Sequence, residues 1–395
     1  MNAEKVMSLD DLDGEMPAKR ARLVALRGGE PLEDDRVLSL FALVAWSVLV
    51  EPGDSVAGRL VTALGPDPAL REVIRWVRSD TTSDAAGLTR GEVSAGLKRW
   101  APRLKLGEVR AALDAAARAG VRLVTPQDAE WPTALRDLGD HAPLCLWVRG
   151  DIGALASTRP AVSLVGARAA TSYGEHVAME FASELSGRGV TVVSGAAYGI
   201  DGAAHRAAVL SGGTTIALLA GGADRAYPAG HSALLERIAQ TGAIVSEVPC
   251  GAAPTKWRFL ARNRLIAALG GATVVVEAGW RSGSLNTAAH AATLGRPIGA
   301  VPGAITSAAS AGCHRLLREF DARCVTSVDE VMELLGWDPS IVPGWTGPDG
   351  ASAGANDEKH QCDENGDRNA GRLQDHQQIA ADSRRSWREA LQSGD

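Results

Sequence analysis

The sequence predicts an α/β protein with a Rossmann-like, doubly wound, mostly parallel sheet, a small all-helical N-terminal domain and a disordered C-terminal tail. Three observations support this fold class. Over residues 126–338, short apolar segments alternate with helical segments of 10 to 15 residues, which is typical of a parallel sheet covered by helices. Residues 36–125 have helical periodicity throughout, and residues 339–395 are polar with few apolar anchors.

The N-terminal third is expected to contain a flexible leader, residues 1–35, and a helical domain, residues 36–125. Within this domain RVLSLFALVAWSVLVEP predicts a helix ending at Pro52, a PGD turn follows, and SVAGRLVTAL predicts a second helix. LGEVRAALDAAARAG predicts a later helix that ends at Gly120. The helix, turn, helix arrangement is compatible with a helix-hairpin-helix whose turn amides contact phosphates, and equally with a plain packed pair.

Residues 126–338 are expected to form the Rossmann-like domain. The predicted strands are AVSLVGAR, VTVVSGAA, TTIALLAGG, AIVSEV, ATVVVEAG and PIGAVPG, and the segments between them predict helices. Residues 339–395 predict a disordered polar tail without a winged helix, because they cannot bury enough apolar surface to offset the entropy of ordering.

Composition excludes several functional classes. No apolar run approaches the roughly 18 residues that span a bilayer, and the N-terminus is too charged for a signal peptide. The five cysteines form no C-x-x-C pair and the eight histidines have no metal-binding spacing, so we expect a cytoplasmic protein with no metal, no other cofactor and no membrane association. The net charge of −6 means that any site for a polyanion must be a local patch.

The residues that follow the predicted strands mark the expected ligand site, because open parallel sheets bind ligands outside the carboxyl ends of their strands. Arg168 follows the first strand, Gly195 and Gly199 flank the turn after the second, and the SGS segment (Ser282, Gly283, Ser284) begins a helix after ATVVVEAG. Amides at such helix starts form anion sites. The glycine spacing does not match the dinucleotide-binding fingerprint.

Two acidic residues near these strand ends raise the question of catalysis. Asp201 and His205 are spaced i, i+4 and are compatible with an acid/base pair, but the favoured interpretation is that Asp201 stabilises a helix N-terminus and His205 is a surface or subunit-facing residue. Glu277 follows a strand, where it indicates a mixed polar site rather than a simple phosphate site.

A basic stretch precedes the strand ATVVVEAG. TKWRFLARNR carries four cations interleaved with two aromatic residues, and no acidic residue occurs between Val248 and Val276. Cations that follow a nucleic-acid backbone, with an aromatic ring to stack a base, are what sequence-tolerant single-strand binding requires. The alternative is that Phe259 is in the core and that the arginines pair with acids elsewhere. The residues concerned are Lys256, Trp257, Arg258, Phe259, Arg262, Asn263 and Arg264.

The order of several motifs resembles the DNA-processing protein A family, also called DprA or Smf. The motifs are VGARAATSYG, VVSGAAYGIDGAAH, KWRFLARNR and VVVEAGWRSGSLNTAAHAA, and the resemblance extends over about residues 125–338. It implies a non-enzymatic, homodimeric protein that binds single-stranded DNA, protects incoming strands and loads a RecA-type recombinase in natural transformation.

The resemblance also implies which residues contact DNA. They are Arg168 in VGAR and the basic-motif residues Lys256, Phe259, Arg262, Asn263 and Arg264, with Gly195, Gly199, Ser282, Gly283 and Ser284 completing a phosphate pocket. Three positions depart from the family pattern: Tyr198 replaces a basic residue, and His314 and Asp321 stand at usual Asn and Gly positions. The alternative is a Rossmann-type nucleotide hydrolase of the lysine-decarboxylase-like (LOG) class with Glu277 as acid/base, although the P-G-G-x-G-T-x-x-E motif of such enzymes is absent.

Overall fold

A computed structural model describes residues 6–156 and 160–336 and contains a nine-stranded mixed sheet covered by helices on both faces. The spatial order of the strands is β1-β2-β6-β5-β4-β3-β7-β8-β9. Pairs β1/β2 and β2/β6 are antiparallel, and the remaining pairs are parallel. The predicted fold class, a mostly parallel doubly wound sheet, is confirmed.

The strands are β1 (Arg122–Val124), β2 (Leu146–Gly150), β3 (Ala161–Val165), β4 (Thr191–Ser194), β5 (Thr215–Leu219), β6 (Ala243–Ser246), β7 (Ala272–Val275), β8 (Ile298–Ala300) and β9 (Arg323–Cys324). The helices are α1 (Leu9–Asp13), α2 (Met16–Leu26), α3 (Asp34–Leu49), α4 (Ser55–Leu64), α5 (Pro66–Ser79), α6 (Arg90–Trp100), α7 (Leu106–Arg118), α8 (Ser172–Gly187), α9 (Ile200–Leu210), α10 (Ser232–Thr241), α11 (Lys256–Leu269), α12 (Ser284–Thr293), α13 (Ala311–Glu319) and α14 (Val328–Leu334).

The central strands are apolar on both faces, which explains their continuous hydrophobic runs. Alternate residues of one strand enter different cores: Val274 of β7 packs with α8, α9 and α14, whereas Val275 packs with α11, α12 and α13. This two-sided burial fixes the register of each strand, because a shift by one residue would exchange its two faces.

The N-terminal residues differ from the flexible leader expected for residues 1–35. Within the described part, residues 6–35 form α1, α2 and the start of α3, and Leu12, Leu23 and Leu26 are buried. Lys19 is buried as well, and its ammonium group donates to the carbonyl oxygens of Leu12 at 2.5 Å and Asp11 at 2.7 Å. Helix α2 packs against α3 and α7, and Leu23 and Leu26 join the buried core there.

The helical N-terminal module, α1 to α7, shares a hydrophobic core with one end of the sheet. Phe41 and Trp46 of α3 belong to the same buried cluster as Trp147 of β2 and Ile244 of β6. Burial of apolar side chains contributes roughly 1.5–3 kcal/mol each, so this shared core fixes the module against the sheet. The predicted tail, residues 339–395, lies outside the described residues, and within those described no helix is long and apolar enough to cross a membrane.

Candidate functional site

A pocket of about 910 Å³ lies where the order of the parallel strands reverses, between the carboxyl ends of β3 and β7. Successive strands β3, β4, β5 and β6 extend the sheet in one direction, and β7 then crosses to the other side of β3. Such a reversal opens a crevice that doubly wound proteins use for ligands. The loops after β3 and β7, and the N-terminal ends of α11 and α12, form its walls.

Most of the predicted site residues line this one pocket. They come from three separate parts of the sequence, which the crossover brings together. The lining includes Arg168, Lys256, Phe259, Arg262, Asn263, Ser282, Gly283 and Ser284.

Helix α11 presents Lys256 at the pocket because the helix begins there. Thr255 is its N-cap, and the Thr255 hydroxyl accepts a hydrogen bond from the Arg258 amide at 3.3 Å. Lys256 and Arg168 are exposed, and so is Arg281, which follows β7 and also lines the pocket. None of these three cations forms an ion pair with a residue of the described ranges, so their charge is available to a ligand.

Phe259 is half-buried at the pocket wall. Its burial is intermediate between the two alternatives for this residue, a core side chain and an exposed ring that stacks a base. The Arg168 guanidinium lies 4.9 Å from the ring centroid and the Arg262 guanidinium 5.8 Å from it. The Tyr227 ring is 5.5 Å away at a tilt of 55°. The aromatic surface is thus accessible from the pocket and surrounded by cations.

Arg262 forms the buried floor of the pocket and is 6% exposed. Its Nη1 donates to the Gly195 carbonyl at 2.7 Å and to the Leu218 carbonyl. Burial lowers the pKa of Arg262 to about 10, although the nearby Asp201 opposes this shift. Its Nε lacks a hydrogen-bond partner among the described residues.

Asn263 of α11 connects this helix to the N-terminal end of α12 at the pocket. Its Nδ2 donates to the Gly283 carbonyl at 3.3 Å and to Asn286 Oδ1 at 3.2 Å. The hydroxyl groups of Ser282 and Ser284 lie 2.8 Å apart at the N-terminus of α12. These contacts hold the SGS segment so that its polar groups border the pocket next to α11.

Gly195 and Gly199 are absent from the pocket lining among the described residues. A Cβ at Gly195 would lie 2.5 Å from Arg262 Nη1, so the glycine makes room for the buried guanidinium. Gly199 has a φ of 73°, and a Cβ there would clash with the carbonyl oxygens of Ala167 and Arg168. Both glycines therefore allow close packing behind the pocket lining, and their contact with a phosphate stays a prediction.

Arg264 is also not brought to the pocket. It is buried on the other side of α11, where its Nη1 and Nη2 donate to Glu247 at 2.7 and 2.6 Å and its Nε donates to the His141 carbonyl at 3.0 Å. Arg258 points to the helical module and forms a bidentate ion pair with Glu51 at 2.8 and 3.0 Å. For these two residues the alternative interpretation of the basic stretch, pairing with distant acids, describes the structure.

The PGD turn of the helical module packs against the ion pair between Arg264 and Glu247. The Gly53 amide donates to Glu247 at 3.3 Å, and the Gly53 carbonyl contacts His141 Nδ1 at 2.8 Å. The Asp54 carboxylate caps α4 by accepting from the Val56 and Ala57 amides. The turn is thus occupied by contacts within the protein, as in a plain packed helical pair.

Asp201 and His205 are both buried, which corrects the expectation of a surface His205. Asp201 accepts from the Gly195 amide at 3.2 Å, and burial raises the pKa of its carboxyl although Arg262 opposes this. The His205 Nδ1 lies 2.7 Å from the Thr215 hydroxyl, which itself donates to the Val192 carbonyl, so Nδ1 carries the proton. Burial lowers the pKa of His205 to about 3, and the ring is neutral.

Glu277 does not line the pocket in the part of the chain that the structure describes. It is 2% exposed, and its two oxygens accept from the Thr171 amide at 2.9 Å and the Thr171 hydroxyl at 2.5 Å. A Cβ on the neighbouring Gly174 would clash with this carboxylate. Glu277 therefore fixes the loop that begins α8 and is not placed to act as an acid/base on a ligand.

The three departures from the family pattern have local structural roles. Tyr198 packs its ring 4.8 Å from His231, outside the described pocket lining, so it does not supply a stacking surface there. His314 Nε2 contacts the Gly303 carbonyl at 3.0 Å. Asp321 has a φ of 52°, the left-handed conformation for which glycine is the usual residue.

Tyr227 is one of the pocket residues that the sequence analysis did not name. It follows β5 in a loop, and its ring reaches Phe259 from across the pocket. The signal available in the sequence was its position after an apolar strand, the same position that marked Arg168.

Comparisons with known proteins agree with this architecture. A family model described as DNA recombination-mediator protein A matches residues 122–336. A putative DNA processing protein DprA from Mycobacterium tuberculosis is 47% identical over 305 residues, which cover 74% of this chain and 75% of that protein. Protein Smf from Escherichia coli is 42% identical over 212 residues, 53% of this chain and 56% of its own length.

Solved structures show the same relationship. DNA processing protein A from Streptococcus pneumoniae superposes with a TM-score of 0.57 at 28% identity, covering 74% of this chain and 95% of that structure. The Helicobacter pylori protein, described by its single-stranded DNA binding mode, has a TM-score of 0.50 at 30% identity and covers 55% of this chain and 97% of its own. The chain therefore belongs to the family of DNA-processing proteins described as DNA recombination-mediator protein A, whose curated members carry the names DprA and Smf.

Proposed function

We propose that this protein binds single-stranded DNA in the pocket between β3 and β7 and acts without catalysis as a recombination mediator. The observation that carries the proposal is that three exposed cations, Arg168, Lys256 and Arg281, line the same pocket as the half-buried Phe259. Cations neutralise backbone phosphates, and an aromatic face stacks a base of any sequence with roughly 1–3 kcal/mol per base. The pocket therefore suits a charged, unpaired strand.

The overall charge of −6 is compatible with this function because the site concentrates its own cations. Asp201 is the acidic residue in the described pocket lining, and its carboxylate is turned toward the Gly195 and Ala197 amides. The surface that a phosphate would approach is thus formed by cations, amides and hydroxyl groups. The H. pylori relative, which binds single-stranded DNA according to its description, supports the same ligand class here.

Within this proposal the bound strand is protected and passed to a RecA-type recombinase during DNA uptake, and the protein works as a cytoplasmic homodimer. Membership in a family described as recombination mediators supports the recombinase as the partner. The buried, engaged carboxylate of Glu277 favours binding over nucleotide hydrolysis, the alternative function.

The test is a titration of fluorescent single-stranded oligonucleotide into wild type, Arg168→Ala and Lys256→Ala. Each substitution is expected to weaken binding about tenfold or more and to reduce the slope of log K against log salt concentration by about 0.7, because one phosphate contact is lost. Arg75→Ala is the control, since it removes one cation from α5, which contributes no residue to the described pocket lining. Normal binding by both pocket variants, or binding that does not depend on salt, would contradict the proposal.

A further inference from the structure

The Arg258 guanidinium connects the helical module to one wall of the pocket. It holds Glu51, which follows α3, through two hydrogen bonds of 2.8 and 3.0 Å. Its remaining nitrogen, Nη1, donates to the Ala253 carbonyl at 2.9 Å. One side chain thus joins the module to the loop that precedes α11.

That loop leads directly into the pocket wall. Pro254, Thr255 and Lys256 follow Ala253 and line the pocket. The Thr255 hydroxyl accepts from the amide of Arg258, so the loop is tied to Arg258 at both its backbone and its side chain. The placement of Lys256 depends on where the Arg258 guanidinium is held.

Glu51 is itself fixed on the module side. Arg103 Nη2 contacts Glu51 Oε1 at 2.6 Å, the same oxygen that accepts from Arg258 Nη2 at 3.0 Å. Burial alone would raise the pKa of Glu51, but the hydrogen bonds and charges of Arg258 and Arg103 outweigh it and hold that pKa below its usual value. The carboxylate is therefore ionised at neutral pH and bridges two arginines.

We propose that Glu51 is a positioning residue for the pocket: through Arg258 it holds the loop and the first turn of α11 that present Lys256 to the ligand. This inference rests on the proposed binding of single-stranded DNA. It assigns to the helical module a part in binding that requires no contact between the module and DNA.

Whether loss of the Glu51 carboxylate weakens or strengthens DNA binding distinguishes a positioning role from a purely electrostatic one. Removing a carboxylate near a nucleic-acid site, and releasing Arg258 and Arg103 from it, strengthens binding if only charge matters. Positioning predicts the opposite, because Lys256 then spends less time in the binding geometry.

The experiment compares Glu51→Gln with Glu72→Gln in the full chain, using fluorescence anisotropy with an oligothymidine. Glu72 pairs with Arg75 within α5, so Glu72→Gln removes the same charge and one ion pair elsewhere on the module. Glu51→Gln is expected to weaken binding about threefold and Glu72→Gln to leave it unchanged. Unchanged or tighter binding by Glu51→Gln would overturn the proposal.

A double-mutant cycle with Lys256→Ala identifies the route of the effect. If Glu51 acts through Lys256, Glu51→Gln costs little in the Lys256→Ala background, whereas additive losses would show that it acts by another route. Thermal unfolding of each variant measures any global loss of stability.

Hydrogen exchange without DNA tests the positioning independently of the ligand. Amides of residues 255–259 are expected to exchange faster in Glu51→Gln than in wild type or Glu72→Gln, because the loop loses its anchor. Unchanged exchange contradicts the inference even if DNA binds. Faster exchange in a protein whose wild type binds no single-stranded DNA contradicts the proposed function and leaves the positioning intact.

Discussion

Two groups of cations on helix α11 differ in what surrounds them. Lys256 is exposed at the pocket and has no acidic partner in the described ranges, whereas Arg258 and Arg264 form bidentate ion pairs with Glu51 and Glu247. All three residues lie within nine positions of one helix. Their difference shows that one run of positive charge contains both an exposed cation without an acidic partner in the described ranges and arginines that stabilise the fold through ion pairs.

The physical basis of the difference is desolvation. A guanidinium taken out of water must regain its hydrogen bonds, and its planar donors match a carboxylate bidentately. Arg264 is buried and Glu247 supplies those acceptors, so the charge is neutralised before any ligand arrives. Lys256 remains hydrated, so its charge is available to a phosphate.

Substitution of Arg264 by alanine should give the largest effect on stability. Among the described residues it would leave the Glu247 carboxylate, whose side chain is 12% exposed, with the Gly53 amide as its remaining partner, and breaking one side of such a largely desolvated pair costs about 3–5 kcal/mol. Lys256→Ala is expected to change the free energy of unfolding by less than about 0.5 kcal/mol. Urea denaturation of both variants measures the contrast, and equal midpoints would remove the distinction between the two groups.

Two glycines show the same contrast between a position that stabilises the fold and a position that lines the pocket. Gly195→Ala places a Cβ 2.5 Å from the Arg262 guanidinium, and such overpacking costs about 1–3 kcal/mol of stability. Gly283→Ala meets no atom within 4 Å and has a φ of −62°, so the fold should tolerate it.

For DNA binding the expected order is reversed, and Gly283→Ala should have the larger effect. Gly283 lines the pocket, so its alanine variant is expected to weaken single-stranded DNA binding while its unfolding midpoint stays near that of wild type. A Gly195→Ala variant with wild-type stability and impaired binding would restore the interpretation of Gly195 as a phosphate-approach residue.

The fold could be predicted from the sequence because its signals are local. The apolar runs around β3, β4, β5, β6, β7 and β8 record burial on both faces at each strand. The position of the pocket could be predicted from the rule that ligands bind at the carboxyl ends of parallel strands, because Arg168 and the SGS segment both follow strands.

Which cations of α11 form ion pairs could not be predicted, because their acidic partners come from other parts of the sequence. Glu51 lies 207 residues before Arg258, and no spacing rule connects them. The same limit explains the N-terminal segment: Leu23 and Leu26 of α2 are widely spaced apolar residues in the sequence, and their burial depends on the contacts of α2 with α3 and α7.

A smaller effect than those of the Arg264 and Gly195 substitutions is expected from His205, which is buried without a charge. Its pKa is lowered to about 3 in the folded protein, below the ordinary value of 6.5, so only the unfolded chain binds a proton between these values. Stability is therefore full above pH 6.5 and declines as the pH falls toward 3, by about 1 kcal/mol at pH 5.5 for this group.

His205→Asn keeps an amide donor for the Thr215 hydroxyl and removes the titrating ring. Urea denaturation at pH 7.5 and 5.5 should therefore show a smaller loss of stability for the variant than for wild type. His290, whose pKa burial lowers to about 4, contributes the same sign in both proteins and cancels in the difference. An equal loss in the two proteins would mean that the buried ring takes up a proton with the fold intact, and the surroundings of His205 would then be open to water.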